Sequence, residues 1–102
     1  MTGRPKKSLG QHFLRSRRIV EDVVAVINPG PGDTVLEIGP GEGVLTRALA
    51  KRGADILAVE KDRDLARRLR EEFSEDPGVT IHEGDFLTIP LERYLSRKAR
   101  AK

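Results

Sequence analysis

Three short runs rich in β-branched residues, separated by helical periodicity, constrain this chain more than any other feature. They are "TVLEI" (34–38), "DILAVE" (55–60) and "VTIH" (79–82). "GVLTRALAKR" (43–52) lies between the first two, and Gly53 can stop it in a left-handed conformation. "DRDLARRLREEF" lies between the second and third, with Asp62 placed to cap it and Leu65, Leu69 and Phe73 on one face. Ahead of all three strands, residues 17–27 carry Ile19, Val20, Val23, Val24 and Ile27 at helical spacing. Ser16 can cap that helix and Asn28-Pro29 ends it. Strands alternating with helices are βαβ units, and right-handed crossovers make the sheet parallel. The pattern predicts an α/β fold with about three parallel strands in the order 3-2-1 and flanking helices. "TVLEI" is nearly continuous in apolar character, as a strand buried on both faces should be.

In parallel sheets of this kind ligands bind beyond the carboxyl ends of the strands. Three features fall on that edge. Gly39, Gly41 and Gly43 form G-x-G-x-G between the first strand and the next helix. A dinucleotide fingerprint would need glycine or alanine where Val44 stands, which weakens a nicotinamide reading. A turn without side chains still lets a ligand lie against the backbone; a plain strand-to-helix turn is the alternative. Glu60 ends the second strand, 21 residues after Gly39. A carboxylate there can accept from both hydroxyls of a ribose, or it is a surface acid. Asp85, in "GDFL" after the third strand, can accept from an exocyclic amine, and Phe86 offers an apolar face to a ring. The alternative for Asp85 is a loop cap.

A chain of 102 residues is one domain. No apolar stretch approaches the roughly 18 residues that span a bilayer, so no membrane is expected. "MTGRPKKSLG" has no apolar segment after its charges and does not read as a secretory signal. The chain has no cysteine. That excludes disulfides and thiolate metal sites, and it fits the cytoplasm. His12 and His82 lack ligand spacing, so no metal is expected. The net charge of +3 conceals an asymmetry. Both ends are basic and the middle is acidic, which points to a polyanion such as RNA, or else to solvated termini. Lys6, Lys7, Arg15, Arg17 and Arg18 are the candidate RNA contacts at the N-terminal end.

"KKSLGQHFL" (6–14), "LEIGPGEGVLT" (36–46), "VEKDRDL" (59–65) and "EGDFL" (83–87) occur in that order. In sequence and spacing they resemble the ribosomal RNA adenine N6-dimethyltransferases, which include small-subunit enzymes and erythromycin-resistance methylases. The resemblance runs from about Lys6 to Leu91. It implies a Rossmann-like class I methyltransferase fold, S-adenosylmethionine (or S-adenosylhomocysteine) as cofactor, and ribosomal RNA as partner. It places Gln11, His12 and Leu14 over the methionine end of the cofactor. By the same match Gly39, with Gly41 and Gly43, lines the cofactor, Glu60 holds the ribose, and Asp85 with Phe86 takes the adenine.

The family's acceptor-binding motif, Asn-Leu-Pro-Tyr or a near variant, does not occur in these residues, and Tyr94 sits in the unrelated context "LERYLSRK". The expectation is therefore a cofactor-binding half without competent activity of its own. Its parts would be a basic segment with the GQHFL motif (1–18), a βαβ half-domain (17–90) and a basic helix or tail (91–102). One alternative is an enzyme completed by an oligomer or a second chain. Another is a small basic RNA-binding module without cofactor. With no fourth strand the edge of "TVLEI" is left free, which favours a homodimer across it. Alternatively Leu91, Tyr94 and Leu95 fold back over that edge.

Overall fold

A computed structural model describes residues 16–94. Helix α1 spans Arg17–Ile27, strand β1 Thr34–Ile38, helix α2 Val44–Lys51, strand β2 Asp55–Glu60, helix α3 Arg63–Glu72 and strand β3 Val79–Glu83. A single 3-10 turn, Phe86–Thr88, follows, and residues 91–94 are helical. The three strands form one parallel sheet with β2 in the centre.

The helix ends follow from local chemistry. Ser16 Oγ accepts from the Ile19 N–H and opens α1. Asn28 closes it at φ 48°, and its N–H returns to the Val24 carbonyl at 2.7 Å. Asparagine is among the few non-glycine residues that enter this conformation readily. Asp62 Oδ1 accepts from the Leu65 N–H at 3.0 Å and opens α3.

Register decides what each strand residue faces. Val35, Ile56 and Val79 are aligned across the sheet, as are Glu37, Ala58 and Ile81. These share the face that packs on Val20 and Val24 of α1 and Leu49 of α2. Leu49 and Ala58 are wholly buried there. Burying a leucine of this kind contributes on the order of 2–3 kcal/mol. Leu36 and Ile38 alternate onto the opposite face with Leu57 and Val59.

The expectation that β1 is buried on both faces is corrected. Leu36 is 38% and Ile38 57% exposed, whereas Ile56 through Glu60 are all buried. Among the described residues β1 has a neighbour on one side only, so the strand with continuous burial is β2. Within the described residues Tyr94 of the C-terminal segment lines a small pocket with Thr34 of β1, Leu57 and Thr80. The Tyr94 hydroxyl lies 3.1 Å from His82 Nδ1 on β3, and the two rings meet edge to face.

Candidate functional site

The loop after β1 enters the carboxyl edge by extending the ladder: the Gly39 N–H donates to the Val59 carbonyl at 2.8 Å. It then turns through three left-handed residues, Gly39, Gly41 and Gly43, at φ 71°, 60° and 86°. The alternate spacing of the glycines is thus a backbone requirement. Their surroundings differ. A Cβ placed on Gly39 meets nothing within 4 Å, so that part of the loop is open. A Cβ on Gly43 would stand 2.7 Å from Leu69 Cδ2, so this glycine lets α2 close on α3.

Gly41 is tied from below. Its N–H donates to Glu60 Oε1 at 3.0 Å, and the Asp62 N–H donates to Glu60 Oε2 at 2.8 Å. The Glu60 side chain is buried, and it couples the loop after β1 to the turn after β2. Each oxygen retains a second lone pair, so the carboxylate can accept further donors. A second acid lies beneath the same loop. Glu37 is buried on β1, on the same face as Glu60, and Oε1 accepts from the Thr46 hydroxyl. Burial pushes the Glu37 carboxyl above its ordinary value; the Thr46 hydrogen bond opposes this and the charge of Glu60 adds to it. The site floor therefore holds two acids of different character, one held by two backbone donors and one whose hold on its proton is strengthened by burial.

The third wall follows β3. The Gly84 N–H donates to the Glu60 carbonyl at 2.8 Å, setting this loop beside the other two. Asp85 opens the 3-10 turn, with Oδ1 accepting from the Leu87 N–H at 2.9 Å. Phe86 is half-buried in the same turn. An open glycine backbone, a buried carboxylate and a second carboxylate beside an aromatic ring thus share one edge.

Comparison with known proteins decides the family. The profile of the ribosomal RNA adenine dimethylases matches residues 3–101. The chain belongs to that family. A ribosomal RNA small subunit methyltransferase A from Methylococcus capsulatus is 46% identical over 87 residues, covering 85% of this chain and 34% of the relative. Its counterpart from Thermosynechococcus vestitus is 49% identical over 88 residues, covering 86% and 33%. The chain therefore spans about a third of the length of the curated relatives it matches. Among solved structures, the 23S rRNA methyltransferase ErmE superposes with a TM-score of 0.68 at 42% identity, over 76% of this chain and 32% of ErmE. A sarcosine dimethylglycine methyltransferase from Galdieria sulphuraria shares the fold, with a TM-score of 0.61 at 24% identity. The class I methyltransferase architecture expected from the sequence is the one observed.

For this dimethylase-family chain, the structure brings Gly39, Gly41, Gly43, Glu60, Asp85 and Phe86 to one edge of the sheet. Gln11, His12 and Leu14 lie outside the described residues, as do Lys6, Lys7 and Arg15. Arg17 and Arg18 are exposed at the start of α1. Sequence reasoning missed Glu37 and Thr46. The available signal was an acid inside an otherwise apolar strand, nine residues before a threonine on the following helix.

Proposed function

We propose that this chain is the S-adenosylmethionine-binding part of a ribosomal RNA adenine N6-dimethyltransferase and works in the cytoplasm. The observation that carries the reading is the Glu60 carboxylate. It is held beneath the open glycine loop by the N–H groups of Gly41 and Asp62 and keeps acceptor capacity for a ribose diol. Gly39 supplies backbone against which the ligand lies. Asp85, whose Oδ1 caps the 3-10 turn, offers its other oxygen to the adenine amino group, and Phe86 packs on the ring. Gln11, His12 and Leu14 cover the methionine end. The cofactor, when bound, supplies a methyl group on a positively charged sulfur. Calorimetric titration with S-adenosylhomocysteine tests the reading: one site per chain is expected, and no heat at millimolar ligand sinks it.

The acceptor-positioning motif does not occur in these residues, and positioning is a large part of what group transfer needs. The expected result is no methylation of small-subunit RNA by this chain alone, and activity once a complementing C-terminal fragment is added. Turnover by the chain alone, abolished by Glu60→Ala, overturns the first half.

Among the described residues no strand pairs with the outer side of β1, and Leu36 and Ile38 leave apolar surface beside it, which supports a homodimer as the assembly. Val35 packs against the core, so Ile38→Lys is the cleaner disruption. Sedimentation at micromolar concentration should show a dimer that Ile38→Lys dissociates. A monomer of the unaltered chain rules it out.

A further inference from the structure

A groove of about 500 Å³ runs between α1 and α2 on the outer face of the helical layer. Val20, Val24, Val44 and Ala48 form its floor. Its rim is almost entirely cationic: Arg17, Arg47, Lys51 and Arg52 stand against the single acid Glu21. Two of these cations are already engaged, Arg47 through Nη1 with both carboxylate oxygens of Glu72 and Arg17 loosely with Glu21 at 3.6 Å. Among the described residues Arg52 meets the neutral amide oxygen of Asn28 and no carboxylate. Lys51 makes no ion pair among the described residues. Such a groove offers several phosphates a place without offering any base a specific partner.

Its course follows from the helix contacts. The Arg52–Asn28 hydrogen bond joins the C-terminal ends of α2 and α1, so the helices run side by side in the same direction. Val44 and Arg17 therefore lie toward one end, next to Gly43 and the glycine loop. Lys51 and Arg52 lie at the other, about 10 Å away at 1.5 Å per helical residue. The groove leads away from the candidate cofactor edge.

Charge selects the occupant. The chain's own N-terminal stretch carries Arg4, Lys6, Lys7 and Arg15 and no acid, so it does not complement the rim. A second copy packed groove to groove would bring the same sign. We infer that the α1–α2 groove is a track for the phosphate backbone of an RNA strand, carrying it from the glycine-loop end toward Lys51 and Arg52. This rests on the reading that ribosomal RNA is the partner, and it names a surface separate from the cofactor pocket.

The test uses the full chain and a small-subunit ribosomal RNA hairpin with single-stranded flanks. Binding is measured across 50–200 mM salt. The variant Arg17→Gln/Lys51→Gln/Arg52→Gln should lower the slope of log affinity against log salt by about 2, since each contact to a single strand contributes about 0.7. That amounts to about a 15–20-fold smaller change in affinity over the range. A control, Arg63→Gln/Arg67→Gln/Arg68→Gln on exposed α3, should leave the slope near that of the unaltered chain. Equal losses in both variants overturn the track, as does an unchanged slope in the groove variant or no RNA binding at 50 mM. Polyglutamate competing as well as RNA overturns the assignment to nucleic acid. Titration with S-adenosylhomocysteine separates the two readings: the groove variant should bind it normally, and its failure to bind any form of the chain leaves a groove-dependent RNA slope standing.

Discussion

Replacing Glu60 should destabilise the protein before any ligand is added, and the structure sets the size of the effect. The carboxylate accepts two backbone hydrogen bonds, from Gly41 at 3.0 Å and Asp62 at 2.8 Å, from a side chain only 6% exposed. Hydrogen bonds to a charged group contribute about 1.5–3 kcal/mol each, which gives a gross loss of about 3–6 kcal/mol for Glu60→Ala. Three effects offset it. Asp62 is exposed and Gly41 partly so, so water can reach both freed N–H groups. A buried charge disappears, with its desolvation cost. The repulsion felt by Glu37 disappears as well. The expected net loss is about 1–3 kcal/mol, a large share of the stability of a small domain. Glu60→Gln retains one acceptor oxygen but turns an amide donor toward the other N–H, so it should fall in the same range. Urea unfolding without ligand measures this through the midpoint, and the slope should hold. Calorimetry with S-adenosylhomocysteine, on whichever variant stays folded, should show a further ten- to hundred-fold loss of affinity from the ribose bonds. An unchanged midpoint in both variants would refute the coupling of the glycine loop to β2. Unchanged affinity in a folded variant would refute the ribose assignment.

Glu37 sets a pH dependence. Its folded carboxyl holds its proton more tightly than the ordinary 4.5. Its contribution is therefore full below the unfolded value and drains away as pH rises through the raised folded value. Glu37→Gln should remove that decline and raise stability at neutral pH relative to acid; parallel stability curves for the two proteins between pH 4 and 8 would remove Glu37 from the account. Gly43→Ala should cost about 2–3 kcal/mol, because it adds a left-handed non-glycine residue and a contact with Leu69 at 2.7 Å. Gly39→Ala should cost about 1–2 kcal/mol from backbone strain alone while weakening ligand more; thermal melts and calorimetry on the pair check the contrast. Asp85→Asn can keep the bond from Leu87 but opposes the adenine amino group with another donor. It should weaken S-adenosylhomocysteine more than the inosine analogue, and equal losses would remove Asp85 from the adenine pocket.

The helices and strands were legible because each has a local cause. Ser16, Asn28, Asp62 and Gly53 mark their ends, and the 3.6- and 2-residue periods are uninterrupted between them. The burial of β1 was not legible, because "TVLEI" has the composition of an inner strand and its exposure depends on what pairs beside it. The candidate site was legible as positions and not as a network. Glycine spacing, Glu60 and Asp85 can be placed from strand ends. The bond from Gly41 to Glu60 joins residues 19 apart and exists only once β1 and β2 are in register. Glu37 escaped notice for a related reason. An acid on a strand reads as an interruption until the helix carrying Thr46 is packed above it.

That network bears on what the chain can do without further partners. The contacts that shape the floor of the site, from Gly39 to Val59, Gly41 and Asp62 to Glu60, Thr46 to Glu37 and Gly84 to the Glu60 carbonyl, all lie within residues 37–84. None crosses the free edge of β1. Pairing at that edge would cover Leu36 and Ile38, which alternate away from Glu37 onto the other face of the sheet. The site and the edge are thus separable. Ligand affinity should be nearly independent of protein concentration across the range where chains associate, whereas association should respond to Ile38→Lys and not to Asp85→Asn. A titration of S-adenosylhomocysteine at protein concentrations on both sides of the dimerisation midpoint reads this directly. A steep dependence of affinity on concentration would mean that the second chain contributes to the pocket, and that the floor described here is incomplete.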